Sequence, residues 1–295
     1  MADKGEILGS LRVLGLEFWG VSIGLGYIGW SVASNSFYPT TKFILASIIL
    51  GPLLGSFTFL INNSFDKKFD SQNPRKIGSP IVSGKLSTKN ALNLSFLSAL
   101  FAVLFSFFLG IQFFFLSLCM IIIAYIYSAY PIRLKERPCL DLLSTSVGLG
   151  ILCPLAGYSI EQSIVKFPTW YLLAIFLIMA GLYPPTTVAD HNTDILAGVR
   201  TFAVYFGKKK AIFIGVFLFA FGHLIIVIES LFGYVLSPQI LTYTWTSYLL
   251  SPIAYFFMLK FNSHDDIIKF LFAITILEIP GPLFLSALNA RVFVP

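Results

Sequence analysis

Nine mostly apolar runs punctuate this chain, at roughly 13–35, 42–64, 90–109, 112–130, 141–160, 168–189, 211–231, 237–259 and 267–289. Runs of about 20 apolar residues match the thickness of a bilayer's hydrocarbon core when wound as α-helices. The pattern therefore predicts an all-α polytopic membrane protein with nine transmembrane helices in a single integral-membrane domain spanning 1–295. The longest polar breaks are Asp66–Lys89, after the second run, and Asp190–Lys210, after the sixth. Each follows the second helix of a set of four. That placement predicts two related four-helix halves, about 1–135 and 136–260, followed by a final helix, with the repeat parallel rather than inverted.

Charge placement sets the orientation. Basic residues accumulate in cytoplasmic loops, and with the N-terminus inside, seventeen of the 20 Lys and Arg fall on one side. Only Lys42, Lys166 and Arg291 fall on the other. The expectation is a multi-pass protein with its N-terminus and long polar loops cytoplasmic and its C-terminus opposite. Composition agrees: 57% hydrophobic residues, 12% charged and a mean hydropathy of +0.83 exceed what a soluble domain of this size buries. The net charge of +6 suits anionic headgroups and a polyanionic substrate, with no nucleic-acid partner expected. No removable signal peptide is expected, because the opening residues are polar and no small-residue cleavage site follows a short apolar core. Cys119, Cys139 and Cys153 form no CxxC pair and read as small buried thiols.

With only 14 acidic residues in the chain, two short clusters stand out. Asn62, Asp66 and Asp70 lie four apart at the end of the second run, and Asp190 and Asp194 repeat that spacing at the end of the sixth. Helices continuing out of the two runs would align each set along one face. Facing each other, the two stripes would offer an oxygen-rich cage for Mg²⁺, which takes one or two carboxylates together with waters and phosphate oxygens. Arg75, Lys76, Arg133, Lys135 and Arg200 share the same predicted side and can pair with phosphate. The alternative is a set of solvated helix-end charges balanced by neighbouring lysines.

The flanking residues narrow this choice. Asn73-Pro74 and Ser79-Pro80-Ile81-Val82-Ser83-Gly84 follow the first cluster. Tyr127-Ser128-Ala129-Tyr130-Pro131-Ile132-Arg133-Leu134-Lys135 comes next in the chain. The second cluster runs into Gly198-Val199-Arg200-Thr201 and Gly207. In this order the chain resembles the UbiA superfamily of intramembrane prenyltransferases over nearly its whole length. The resemblance implies helices around a central cavity with a cytoplasmic cap, binding an isoprenoid diphosphate through Mg²⁺. It implies a first metal site at Asn62, Asp66 and Asp70 and a second at Asp190 and Asp194. Arg133, Lys135 and Arg200 would grip the diphosphate, and Tyr127 would sit near the reacting carbon. Arg12 corresponds to a basic residue near the pocket in relatives, with interfacial snorkelling an equal alternative. Two departures are visible. Asn63 stands where many relatives carry aspartate, and Ser79-Pro80 replaces the usual Arg-Pro after an apparent two-residue insertion, leaving Arg75 or Lys76 to supply the cation.

The implied reaction moves an isoprenoid group from a polyprenyl diphosphate to a hydrophobic acceptor in the bilayer and releases pyrophosphate. The acceptor class stays open between a quinone precursor, an archaeal glyceryl ether phosphate and a carotenoid; Arg137-Pro138-Cys139-Leu140-Asp141-Leu142-Leu143-Ser144 resembles the carotenoid-elongating and archaeal branches. An ion-coupled transporter is the competing class. It predicts ionisable residues near the bilayer midplane and broken helices in matching positions of both halves, whereas these carboxylates gather at one face. Glu17, His223, Glu229 and Glu278 are the remaining intramembrane ionisable residues, and His223 reads as a satisfied bundle histidine.

Overall fold

The computed structural model describes residues 12–73, 75–232, 246–261 and 263–278. The side chains of Arg12 and Glu17 lie outside that description, as do parts of the eighth and ninth apolar runs. The described residues form helices and no strands. In chain order they are α1 (Leu16–Ser34), α2 (Thr41–Asp70), α3 (Thr88–Ser106), α4 (Ile111–Ser128), α5 (Leu140–Tyr158), α6 (Thr169–Ala197), the single-turn α7 (Phe202–Phe206), α8 (Lys208–Phe232), α9 (Ser251–Phe256) and α10 (His264–Glu278). Six helical stretches among the described residues are long and apolar enough to cross a membrane: α2 to α6, with α3 extended to Leu109, and α8. The 19-residue α1 falls short on composition, being diluted by glycine, serine and tryptophan.

Prolines shape the long helices. A proline lacks the N–H that would bond four residues back and crowds that carbonyl. α2 widens into a π-turn over Ile49–Leu53 around Pro52, and α5 does so over Gly148–Leu152 just before Pro154. In the first widened turn the Ser22 hydroxyl of α1 donates to the Leu50 carbonyl at 3.1 Å. Pro184 and Pro185 sit inside α6. Pro185 leaves the Gly181 carbonyl without its usual intrahelical donor, and the buried Tyr255 hydroxyl supplies one. In α2 and α6 a neighbouring helix thus supplies a donor to the irregular turn, as a bilayer interior without water favours.

Small residues bring the helices together. A Cβ built on Gly157 of α5 would fall 1.8 Å from the Gly26 carbonyl oxygen, and one on Gly29 the same distance from that of Pro154. Only glycine permits this backbone contact between α1 and α5, in the manner of small-residue packing in membranes. Trp30 is wholly buried beside Phe43 and Ile49 in the adjoining apolar cluster. A second cluster joins α6, α8, α9 and α10 around Phe219, Ile178 and Tyr255. Large apolar side chains such as Phe108, Phe217 and Phe232 cover the exposed outer faces, where lipid would meet them. The cysteines depart from expectation: Cys153 is buried, but Cys119 and Cys139 are exposed. Cys119 is set on the outer side of α4, and Cys139 is held in a positive-φ turn before α5.

Candidate active site

Two helices run on past the apolar segments that predict them. α2 continues to Asp70 and α6 to Ala197, so both acidic clusters are helical. Asn62, Asp66 and Asp70 therefore share a face of α2, and Asp190 and Asp194 share one of α6. All five line one cavity of about 260 Å³, together with Phe69, Lys76, Tyr127, Arg133, Lys135, Tyr183, Thr187 and Thr201.

The segment after α4 closes the cavity. Ala129 leaves the helix extended and Arg133 takes a left-handed conformation, φ 45°. A non-glycine residue there carries a local cost of order 1 kcal/mol. Bonds made by the buried Arg133 side chain offset it: to an Asp66 oxygen at 2.8 Å, to the Ser128 carbonyl at 2.9 Å and to Glu136. Phe69 and Tyr130 flank the guanidinium, with centroids 5.0 and 4.8 Å away. The turn also folds Lys135 inward. Its ammonium donates to the second Asp66 oxygen and, at 2.7 Å, to the Asn62 amide oxygen, which also accepts from Ser128 at 3.1 Å.

Asp66 is thus a hub held by two cations. Burial works against the Arg133 charge, but Glu136 and Asp66 hold its pKa above the ordinary value. Lys135 is the opposite case: burial outweighs the attraction of Asp66, and its pKa is pushed down to about 8. Lys76 donates to Asp70 at 2.9 Å, and this partner, against the cost of burial, raises its pKa.

The second stripe is tied down separately. Arg75 donates to Asp190 at 2.8 Å, and His264 at the start of α10 approaches the same oxygen at 3.7 Å. The Thr201 hydroxyl donates to Asp194 at 3.0 Å. Arg200 is exposed, with its guanidinium 5.9 Å from the Tyr205 ring, and does not line the cavity. Asn63 points elsewhere too, donating to the Val13 carbonyl at 3.3 Å and pinning the segment before α1. Arg12's side chain lies outside the described residues.

All the candidate ligands are hard oxygen donors, the set that Mg²⁺ takes. Among the described residues no three acidic, histidine or cysteine groups converge on one point. Each carboxylate instead faces a basic side chain or a hydroxyl. A cavity of such oxygens, with Lys76, Arg133 and Lys135 in its wall, can hold cations and a polyphosphate together; the residues fit the metal when a ligand's own oxygens complete its shell.

Sequence reasoning did not single out Tyr183, Thr187 and Thr201 as site residues, nor Asp141 behind them. Tyr183, Thr187, Asp190 and Asp194 follow helical spacing on one face of α6, so that signal was present. Asp141 and Thr201 reach the region only through the fold. Deep in the bundle, His223 bonds the Phe219 carbonyl at 2.8 Å and Glu278 at 2.9 Å, as a satisfied histidine would.

Comparison with known proteins points in one direction. The UbiA prenyltransferase family model matches residues 22–276. Digeranylgeranylglyceryl phosphate synthase of Methanobrevibacter smithii is 31% identical over 163 residues, covering 54% of this chain and 56% of the relative. 4-Hydroxybenzoate octaprenyltransferase of Psychrobacter arcticus is 29% identical over 155 residues, covering 52% and 49%. The matches thus span about half the length of these curated relatives. A UbiA homologue from Archaeoglobus fulgidus, solved with GPP and Mg²⁺, superposes with a TM-score of 0.71 at 22% identity, over 96% of this chain and 99% of that one. An apo UbiA homologue from Aeropyrum pernix gives 0.73 at 20% identity, over 91% and 98%. These structural likenesses concern the fold.

Proposed function

Because the chain belongs to the UbiA prenyltransferase family, we propose that it transfers an isoprenoid group from a prenyl diphosphate to a lipid-soluble acceptor within the membrane. The observation that carries this reading is the single cavity in which two helical oxygen stripes face three basic side chains. Asn62, Asp66 and Asp70 would hold one Mg²⁺, and Asp190 and Asp194 another. Bound there, the metal supplies positive charge against the negative charge that builds on departing pyrophosphate.

The chain's own residues do the rest. Lys135, Arg133 and Lys76 now neutralise Asp66 and Asp70; with donor present they turn to phosphate oxygens, as does Arg75 from Asp190. Tyr127, at the end of α4, lines the cavity, and its ring would face the reacting carbon. The exposed position of Arg200 leaves its grip on the diphosphate dependent on a turn of its side chain from Tyr205.

The same proposal includes nine spans with the N-terminus and the cap-forming loops cytoplasmic and the C-terminus opposite, built from halves 1–135 and 136–260 and a last helix. The acceptor belongs to the quinone-precursor, glyceryl ether phosphate or carotenoid class. The names of the relatives support the first two of these. The test is incubation of the purified chain in liposomes with Mg²⁺, labelled prenyl diphosphates of several lengths and one acceptor of each class, followed by mass spectrometry. A prenylated lipid formed with equimolar pyrophosphate is expected. Intact donor under every combination would overturn the reading.

A further inference from the structure

The first metal position would combine two carboxylates with one amide, and the amide is the ligand whose direction matters. A carboxylate offers two equivalent oxygens, so either way round it can meet a hard cation. An amide offers one oxygen and one NH₂ of nearly the same shape, and only the oxygen can serve. Asn62 is that amide. Its oxygen accepts from the Lys135 ammonium at 2.7 Å and from the Ser128 hydroxyl at 3.1 Å. An ammonium can only donate, which identifies the end of the amide facing both partners as the oxygen. The two donors differ in permanence. Lys135 also donates to Asp66 and lines the cavity, where a diphosphate would draw it away. Ser128 is wholly buried at the end of α4, outside the cavity wall. Its carbonyl accepts from Arg133 at 2.9 Å, and the same guanidinium holds Asp66, so the backbone of Ser128 is tied to the first stripe as well.

Resting on the prenyl-transfer reading, we infer that Ser128 is a positioning residue of the first metal site: its hydroxyl keeps the Asn62 oxygen turned to the cavity once Lys135 has turned to phosphate. The metal then takes the lone pair that Lys135 vacates, and Ser128 keeps the other. Without that hydroxyl nothing holds the amide against turning over, and its NH₂ end repels a cation. Ser128 touches neither metal nor substrate in this role, and it acts through Asn62 alone.

A purely structural role is the competing account, since the same bond joins α4 to α2. The two accounts part in a second background. In Asn62→Asp the ligand has two equivalent oxygens and no direction to hold, so loss of the Ser128 hydroxyl should then cost the metal nothing, whereas a loosened contact between α2 and α4 would weaken binding in either background. The experiment uses the full chain in detergent with a thiolo diphosphate analogue of geranylgeranyl diphosphate, which resists ionisation, and follows Mn²⁺ uptake by the electron paramagnetic resonance signal of the free ion. Ser128→Ala should weaken the binding of one Mn²⁺ about tenfold to a hundredfold, the usual effect of removing a hydrogen-bond partner of a metal ligand. Ser128→Thr, which keeps the hydroxyl, should bind as the native chain does. Asn62→Asp should bind alike with and without Ser128→Ala. Should Ser128→Ala fail to fold, Ser128→Cys, whose thiol donates only weakly, carries the same expectation. Native affinity in the folded variant, or an equal loss in both backgrounds, would overturn the role of Ser128 and leave prenyl transfer standing. A native chain that takes up neither Mn²⁺ nor the analogue would overturn the metal-dependent reading itself, and this inference with it.

Discussion

Asp66 and Asp190 are both candidate metal ligands, yet the structure gives them unequal structural duties, and replacing each by asparagine should separate metal binding from folding. The Asp66 side chain is 13% exposed and is held between Arg133 at 3% and Lys135 at 11%. Breaking a buried ion pair from one side costs about 3–5 kcal/mol, because the remaining charge is left unpaired. Two features reduce that figure here. Glu136 still engages Arg133, and Lys135, whose pKa already lies near 8, can shed its proton. Asp66→Asn should therefore destabilise the ligand-free protein by about 2–4 kcal/mol, given also that the amide oxygen keeps one acceptor. At roughly 2–4 °C per kcal/mol, its melting temperature should fall on the order of 10 °C.

Asp190 differs. It is 47% exposed and its partner Arg75 36%, so solvent screens the pair and its loss costs about 0–1 kcal/mol. Melting temperature in detergent and pyrophosphate release from a labelled donor are the paired assays. Asp190→Asn should melt within about 3 °C of the native chain while losing about a hundredfold or more in turnover. Asp66→Asn should lose both. An Asp66→Asn protein as stable as the native chain would refute the hub, and a fully active Asp190→Asn protein would refute the second metal position.

Three further outcomes are expected. Single cysteines introduced beside Arg75 and Lys209 should react with an impermeant thiol reagent from the cytoplasmic side and one beside Lys166 only from the other; labelling of all three from one side would contradict the topology. Gly157→Val should prevent a monodisperse preparation, because its Cβ would fall 1.8 Å from the Gly26 carbonyl oxygen and overpacking against backbone costs about 1–3 kcal/mol or more; a normal melting curve would contradict the close α1–α5 contact. Without metal or donor, one ¹³C-methylated lysine signal should titrate near pH 8 and vanish in Lys135→Met, since burial lowers that pKa from 10.5. The sign follows: between pH 8 and 10.5 the folded chain has released a proton that the unfolded chain retains, so ligand-free stability should rise with pH across that window. Lysine signals all titrating above pH 10 would exclude it.

Much of the site was legible in the sequence because its ligands are local. Residues 62, 66 and 70, and 190 and 194, recur at helical spacing, and helices running past the apolar segments carry that spacing into one cavity. Charge pairing was less legible. Nothing in the order Arg133, Leu134, Lys135 shows that a left-handed Arg133 turns both cations onto Asp66. Arg200 illustrates the same limit: Val199 and Thr201 line the cavity while the residue between them faces away, a reversal that one step in an irregular loop produces. Asp141 was hidden for a third reason, since its partner Phe202 is distant in sequence and meets it only when α5 and α7 pack.

The central claim is that two opposed carboxylate stripes act through divalent metal on a prenyl diphosphate. Its most direct measurement is pyrophosphate release from labelled geranylgeranyl diphosphate by the purified chain, with Mg²⁺, with chelator, with Mg²⁺ restored, and in Asp190→Asn and Asp194→Asn. The account predicts release with Mg²⁺, none with chelator, full recovery on restoration and near-complete loss in both folded variants. Release that persists under chelation, or in both variants, would contradict it.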